Sequence, residues 1–128
     1  MSLFNFFNKP TLPTTKELKL NWTHLNNLAQ LNELSNLSKS IPVIIFKHST
    51  SCIISKTVLK RFEKEYVSEN KVALFYLDLI NYRSISNEIS LHFNVVHQSP
   101  QLLVIKNNIC VYSSSHESIA ASILENLI

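Results

Sequence analysis

The sequence predicts an α/β fold in which a mixed central β-sheet is flanked by helices on both faces. Two nearly continuous apolar runs, Val43–Phe46 and Val72–Asp78, have the composition of buried strands. Helical patterns separate the strands, which is typical of parallel pairing through crossover connections. Two further strands, Gln101–Lys106 and Ile109–Ser113, are joined by only Asn107-Asn108, which predicts an antiparallel hairpin. The expected order of elements is β-α-β-α-β-α-β-β-α.

The length and composition suit one globular domain. The chain has 128 residues, of which 45% are hydrophobic, and a domain of this size buries roughly two thirds of its unfolded-chain surface. Residues 1–15 are a polar stretch with two prolines, so we expect a flexible N-terminal lead. Residues 16–128 are predicted to form a single domain. The chain contains no glycine, so turns that need a positive φ must use asparagine or aspartate.

The first half of the domain is predicted to hold a short extended piece and two helices. The extended piece is expected near Leu18–Trp22. Leucine recurs at every third position over Leu28–Leu37, which predicts an amphipathic helix capped by Asn26 or Asn27. The second helix is expected over about Cys52–Tyr66. Its inward face is assigned to Ile54, Val58, Leu59, Phe62 and Tyr66.

The second half is predicted to hold a short helix, the hairpin and a final helix. Ile85, Ile89 and Phe93 fall on one helical face. Asparagine tolerates the left-handed backbone angles that a two-residue hairpin turn requires. The chain is expected to close with an α-helix from about His116. Its apolar face is assigned to Ile119, Ala120, Ile123, Leu124 and Leu127.

Charge, hydropathy and cysteine count exclude several classes of protein. The net charge is +3 and there is no long block of lysine or arginine, so we expect no nucleic-acid partner. No apolar run approaches about 18 residues, so stable membrane insertion is not expected. The N-terminus lacks the pattern of a secretory signal peptide. Two cysteines are too few for a disulfide scaffold and indicate a reducing compartment, by default the cytoplasm.

Cys52 is the candidate nucleophile. It follows the first buried strand and a polar loop, and a helical pattern begins directly after it. The unpaired N–H groups and the dipole of a helix N-terminus favour a negative charge, and the thiolate is the reactive form of cysteine. Three residues further on, the chain has Ser55 where a second cysteine would resolve a disulfide. The spacing therefore predicts a redox site that reacts through one sulfur.

The chain resembles the thioredoxin fold in its order of elements, in the cysteine at the first strand-to-helix junction, and in Ser99-Pro100 before the hairpin. It is more specifically similar to the monothiol bacilliredoxin family of small thioredoxin-like proteins. The stretches that carry this similarity are residues 46–55, 76–88 and 99–103. With the spacing between them, the similarity spans about residues 22–124. Two positions depart from the family pattern: Ser51 stands where the residue is often basic, and Ile53 where it is often proline or serine.

The resemblance implies a thioredoxin-like fold and a monothiol thiol–disulfide oxidoreductase. Cys52 would attack the mixed disulfide between a client protein and bacillithiol and take up the small thiol. A second bacillithiol or another reductant would then regenerate the enzyme. The expected partners are therefore S-thiolated client proteins and a low-molecular-weight thiol, bacillithiol, as co-substrate. No bound cofactor is expected, and no metal, because the histidines lack metal-ligand spacing.

Four residues are predicted to support Cys52 directly. Ser55 can donate a hydrogen bond to the thiolate from about one helical turn away. Pro100 is expected to follow a cis peptide bond. The resemblance implies that this turn faces the nucleophile and prevents metal binding there, with the backbone of Ser99 pairing with an incoming disulfide. Thr50 lies in the loop that leads to the cysteine.

A basic rim around the site is a further expectation. Bacillithiol carries a malate group with two carboxylates, which nearby cations can hold. Lys47 and His48 are also expected to favour the thiolate. The candidate rim residues are Lys47, His48, Lys56, Lys60 and Arg83. The second cysteine, Cys110, falls within a strand and is assigned to core packing.

Two other functions stay open on the sequence. A glutaredoxin-like enzyme would use another thiol, although Ser113–Glu117 lacks the glycine pair and the aspartate that typically hold glutathione. A non-catalytic redox sensor or binding module would carry Cys52 only as a site of modification. Dithiol thioredoxins use a buried acid and a lysine to deprotonate their second cysteine, and the matching positions here are Phe46 and Leu74. This absence is consistent with chemistry at a single thiol.

Overall fold

The structure is a computed structural model that describes residues 18–67 and 71–127. The strands are β1 (Thr23–His24), β2 (Val43–His48), β3 (Ala73–Asp78), β4 (Gln101–Lys106) and β5 (Ile109–Ser115). The helices are α1 (Ala29–Leu37), α2 (Ile53–Glu65) and α3 (Arg83–His92), followed by two 3-10 helices, His116–Ser118 and Ala121–Asn126. The expected N-terminal lead, residues 1–15, and the first positions of the expected domain lie outside the described residues.

The sheet is mixed, as the sequence predicts, and its strand order is β1-β3-β2-β4-β5. β1 and β2 run parallel to β3, whereas β4 runs antiparallel to β2 and pairs with β5 in the hairpin. The expectation that all helix-separated strands are parallel is therefore wrong for β4. After α3, residues 93–100 lead the chain back so that Gln101 lies beside Lys47. β4 consequently begins at the sheet edge where β2 and β3 end.

Side chains of the three central strands alternate between two apolar clusters, one on each face of the sheet. Even-numbered residues such as Ile44 and Phe46 pack against α2 and the last 3-10 helix. Odd-numbered residues such as Val43 and Ile45 pack against α1 and α3. Helices cover both faces, which confirms the predicted architecture.

The beginning of the described chain differs from the prediction in two details. The extended piece expected at Leu18–Trp22 is a short strand slightly later, β1. The expected asparagine cap is wrong, because α1 begins after Leu28 and no side chain caps it. The amide oxygen of Gln30 instead accepts the backbone N–H groups of Asn26 and Asn27. A residue inside the helix thus satisfies the polar groups that precede it.

α2 confirms the predicted second helix, but its buried stripe begins one residue later than expected. Ile54, assigned inward, is 47% exposed, whereas Ser55 is fully buried together with Phe62. Ser55 lies three residues before the buried Val58 and therefore on the same face of the helix. A polar side chain consequently lies under the first turn of α2.

The expected C-terminal α-helix is wrong in type. Ile119 and Ala120 have extended backbone angles and separate the two 3-10 helices. This interruption buries Ile119, Ala121 and Leu124 against the α2-side cluster, while Ile123 is only partly buried. No helix in the described parts of the chain is long and apolar enough to cross a membrane.

The hairpin turn confirms the role assigned to asparagine. Asn107 and Asn108 have φ values of 53° and 62°, the left-handed region that a two-residue turn requires. Their backbone N–H groups donate to the carbonyl and the hydroxyl of Ser38, each at 2.8 Å. The turn is therefore tied to the residue that follows α1.

Replacing Asn107 by valine should lower the free energy of unfolding by about 1–2 kcal/mol, because a β-branched residue tolerates the left-handed region poorly. The matched control is Asn87→Val on the exposed side of α3, where the two residues have similar helix propensities and the expected change is near zero. Urea unfolding of both variants measures the difference. Equal losses at the two positions would contradict the backbone explanation.

Candidate active site

Cys52 lies at the N-cap position of α2, as the sequence predicts. Its backbone is extended, with φ −108° and ψ 123°, and its carbonyl accepts the N–H of Lys56 at 3.0 Å. The N–H of Cys52 donates to the Ser49 carbonyl at 3.2 Å, which closes the loop before the helix. The cysteine is half-buried between the exposed residues Ser51 and Ile53. Cys52 is therefore a partly exposed residue at a helix N-terminus, where negative charge is favoured.

Ser55 joins the end of β2 to the first turn of α2. Its Oγ accepts the N–H of Ser49 at 3.0 Å and lies 2.7 Å from Nδ1 of His48. Both residues are buried, so the loop that carries Cys52 is fixed from below. This pairing was not predicted from the sequence. The signal for it was a histidine at the end of an apolar strand, followed seven positions later by a serine in the first turn of the next helix. The expected hydrogen bond from Ser55 to the Cys52 thiolate stays a prediction.

A groove of about 610 Å³ runs along α2 beside Cys52. Its lining includes His48, Thr50, Ile53, Lys56, Lys60 and Tyr76. Lys56 and Lys60 are exposed and one helical turn apart, so they give this side of the site a positive charge. Three of the candidate rim residues and Thr50 therefore come together in one groove.

Glu63 closes the far end of this groove and was missed by the sequence analysis. Its Oε2 accepts the indole N–H of Trp22 at 2.7 Å and the backbone N–H groups of Lys19 and Leu20 at 2.9 and 3.1 Å. These three donors hold residues 19–22 against α2. The carboxylate is thus occupied by the protein's own chain, and the residues that join it are too distant in sequence to form a motif.

Lys47 does not belong to the basic rim, which corrects the expectation for this residue. It is odd-numbered in β2, points to the α3 side and is fully buried. Its Nζ lies 3.3 Å from the carbonyl oxygen of Ser86, 3.2 Å from Oγ of Ser90 and 3.4 Å from Nδ1 of His97. Burial lowers the pKa of Lys47 to about 8. Consecutive strand residues face opposite ways, so Lys47 and His48 cannot share one rim.

Arg83 also lies on the α3 side and is not among the residues that line the groove. It is the first residue of α3. Burial lowers the pKa of His97, and the charges of Lys47 and Arg83 lower it further. Lys47 and Arg83 thus both act on His97, in the loop before β4.

The peptide bond between Ser99 and Pro100 is cis, which confirms the prediction. Pro100 is buried and immediately precedes β4, whose first residue pairs with β2. The side chain of Gln101 donates to the carbonyl of Val96 at 3.0 Å, so the loop folds onto the start of β4. This proline therefore lies at the same sheet edge as the Cys52 loop. Within residues 18–67 and 71–127, the buried Oγ of Ser99 has no hydrogen-bond partner.

Cys110 has the setting expected of a packing residue. It is half-buried in β5 and contacts the α1/α3-side cluster. Its Sγ donates to the carbonyl of Tyr112 at 3.2 Å, and burial raises the pKa of its thiol. Among the described residues, no group of three or more histidines, cysteines or acids could hold a metal ion.

Comparison with known proteins agrees with this geometry. The family model of the monothiol bacilliredoxin BrxC matches residues 23–124. A solved structure described as a proposed oxidoreductase with a thioredoxin fold is 29% identical, with a TM-score of 0.70 over 80% of this chain and 89% of its own. A thioredoxin of Malassezia sympodialis is 16% identical, with a TM-score of 0.63 over 94% of both chains. Mitochondrial thioredoxin 3 of Saccharomyces cerevisiae is 21% identical, with a TM-score of 0.61 over 84% and 92%.

Replacing Lys47 by methionine should remove a pH dependence of stability. The ammonium group of Lys47 loses its proton at about pH 10.5 in the unfolded chain, whereas it loses this proton at about pH 8 in the folded chain. Stability therefore rises with pH across this window, by on the order of 2 kcal/mol from this group. Methionine keeps the apolar stem. Urea unfolding at several pH values should show the rise in the natural protein and in Lys39→Met, an exposed control, and a reduced rise in Lys47→Met. Identical slopes in all three proteins would contradict the lowering of the Lys47 pKa by burial.

Proposed function

The chain belongs to the monothiol bacilliredoxin family and is thereby a redox protein of the thioredoxin fold, and on this premise we propose that it removes bacillithiol from protein mixed disulfides. The observation that carries the proposal is the setting of Cys52. The residue is half-buried at the N-terminus of α2, and residue 55, where a resolving thiol would stand, is a serine. One-sulfur exchange is the chemistry that this arrangement supports best.

The proposed reaction has two exchange steps. The Cys52 thiolate attacks the bacillithiol sulfur of the mixed disulfide, a new disulfide forms between Cys52 and bacillithiol, and the client leaves as a thiolate. A second bacillithiol thiolate then attacks the bacillithiol sulfur on Cys52. This step releases oxidised bacillithiol and regenerates the Cys52 thiolate. Electrons balance, because one disulfide is consumed and one is formed in each step.

The basic groove supports bacillithiol as the small thiol. Lys56 and Lys60 line the groove together with Thr50 and Ile53, the residues on either side of Ser51 and Cys52, and we propose that a group attached to the Cys52 sulfur extends into this groove. Two ammonium groups match the two carboxylates of the malate group. Thr50, at the mouth of the groove, adds a hydroxyl. This charge pattern favours an anionic small thiol over a neutral one. In this proposal the client protein approaches the Cys52 sulfur from the side away from the groove.

The proposed setting of the reaction is the cytoplasm, where a pool of small thiols keeps protein thiols reduced. Bacillithiol acts there as a co-substrate, and the described site offers no cluster of metal ligands. Ser99 and Pro100 are proposed to receive the client's disulfide, because they directly precede β4 at the sheet edge that carries the Cys52 loop, and exposed backbone at such an edge can pair with an extended peptide.

Substitution of Cys52 by serine should abolish transfer of bacillithiol from a bacillithiolated model protein, whereas Cys110→Ser should retain most of the rate. The reason is their settings: Cys52 lies at a helix N-terminus, while Cys110 lies in a strand, donates to the carbonyl of Tyr112 and has a thiol pKa that burial raises. Intact-mass spectrometry follows the adduct on each protein over time. A dead Cys110 variant with an active Cys52 variant would place the site elsewhere. A natural protein that takes up bacillithiol without turnover would make the protein a sensor.

Reversing the groove charge, with Lys56→Glu and Lys60→Glu together, should raise KM for the bacillithiolated protein about threefold to tenfold, because two attractive charges become repulsive. The same model protein carrying 2-mercaptoethanol as a neutral mixed disulfide should be processed with unchanged KM. The matched charge control is Lys39→Glu together with Lys64→Glu, because both positions are exposed, lie outside the groove lining and give the same change in net charge. Equal KM changes for both substrates would exclude the groove as the bacillithiol site.

A further inference from the structure

The buried hydroxyl of Ser55 has room for one further partner. A serine hydroxyl donates one hydrogen bond and accepts two. Ser49 can only donate through its N–H, so it occupies one lone pair of Oγ at 3.0 Å. His48 Nδ1, at 2.7 Å, takes either the hydroxyl proton or the second lone pair. In either case one hydrogen-bonding position of Oγ remains.

The hydroxyl of Ser55 reaches back from the first turn of α2 to the loop that carries Cys52. Side chains on a helix lean toward its N-terminus, and Ser55 reaches back far enough to contact Ser49. Cys52 lies between these residues and is bonded to Ser49 through its own N–H.

We propose that His48 is the proton acceptor for the Cys52 thiol and acts through the hydroxyl of Ser55. In the resting form, the thiol of Cys52 donates to Oγ of Ser55, and the hydroxyl of Ser55 donates to the unprotonated Nδ1 of His48. Transfer along this chain moves one proton from sulfur to oxygen and one from oxygen to nitrogen. The product is a Cys52 thiolate that accepts from Ser55, and Ser55 accepts from the imidazolium. The bonds of the serine reverse direction and none is lost.

The surroundings of His48 bear on this proton transfer from several elements. Two carboxylates are in its neighbourhood, since Asp78 is its register partner in β3 and Glu63 of α2 lines the same groove, and negative charge near an imidazole favours the imidazolium. Lys56 and Lys60 in the groove oppose it, and the ring of Tyr76 packs on the imidazole at a centroid distance of 5.7 Å. The thiolate formed in the transfer is itself a compensating charge one serine away. Paired transfer therefore costs less than placing either charge there alone.

This inference rests on the proposed role of Cys52 as the nucleophile, but not on bacillithiol as the substrate. His48 is a positioning residue in this scheme, because it contacts Ser55 and not the substrate. Its effect is to make the thiolate available near neutral pH. The test can therefore use a small neutral alkylating agent, whose reaction fails or succeeds independently of bacillithiol transfer.

The experiment measures the rate of Cys52 alkylation by iodoacetamide against pH, in the Cys110→Ser background and by intact mass. In Ser55→Ala and in His48→Phe, the rate at pH 7 should fall about tenfold and the rise with pH should begin about one pH unit higher. The double variant should fall no further than either single variant, because both changes break one chain. Ser55→Thr keeps a hydroxyl and should restore the profile of the natural protein. A merely structural role would give additive losses at every pH with an unshifted profile, which would overturn the proposal.

A second measurement needs no substitution at the pair. Blocking Cys52 as its methylthio disulfide removes the thiolate, so the NMR titration of His48 should move to lower pH than in the reduced protein, by reciprocal linkage. An unchanged His48 titration would overturn the proposal even if Ser55→Ala or His48→Phe failed to fold. Loss of bacillithiol transfer with an intact alkylation profile would instead count against the proposed substrate alone.

Discussion

Every side chain of β2 is buried, and this constraint determines how the site is assembled. The strand ends in Lys47 and His48, two polar residues that must find partners because an unsatisfied buried polar group is costly. The pleat sends them to opposite faces. Lys47 lies within hydrogen-bond distance of Ser90 in α3 and of His97 in the loop before Pro100. His48 pairs with Ser55 beneath the Cys52 loop. Both loops that frame the nucleophile are therefore fastened to the last two residues of one central strand.

Local patterns in the sequence were sufficient for most of the fold. The apolar runs of β2 and β3 and the paired asparagines of the hairpin each fix one local conformation. The direction of β4 could not be predicted, because no local pattern encodes where residues 93–100 return the chain. The C-terminal segment failed for a different reason. Its apolar spacing satisfies an α-helix, but extended angles at Ile119 and Ala120 give the same residues a better fit to the core.

The candidate site was predictable where it depends on neighbours in the chain. Cys52 at a helix start and the cis bond before Pro100 follow from local spacing and residue type. The rim assignment of Lys47 used nearness in sequence to Cys52, and the alternation of strand side chains would have separated it from His48. Contacts such as Glu63 with Trp22 and Lys47 with His97 join residues 41 and 50 positions apart. Only the tertiary structure brings such pairs together, so no local sequence motif predicts these contacts.

The burial of Ser55 beside an imidazole has an evolutionary consequence. Serine and cysteine differ by a single atom, and most serine codons become a cysteine codon through one nucleotide change. The position already lies under the nucleophile's loop, on the inward face of α2, next to a nitrogen base. A single substitution at this position would therefore supply a second sulfur without any change in the arrangement of strands and helices. The positions that hold the buried acid and the lysine in dithiol thioredoxins, Phe46 and Leu74, would still be apolar.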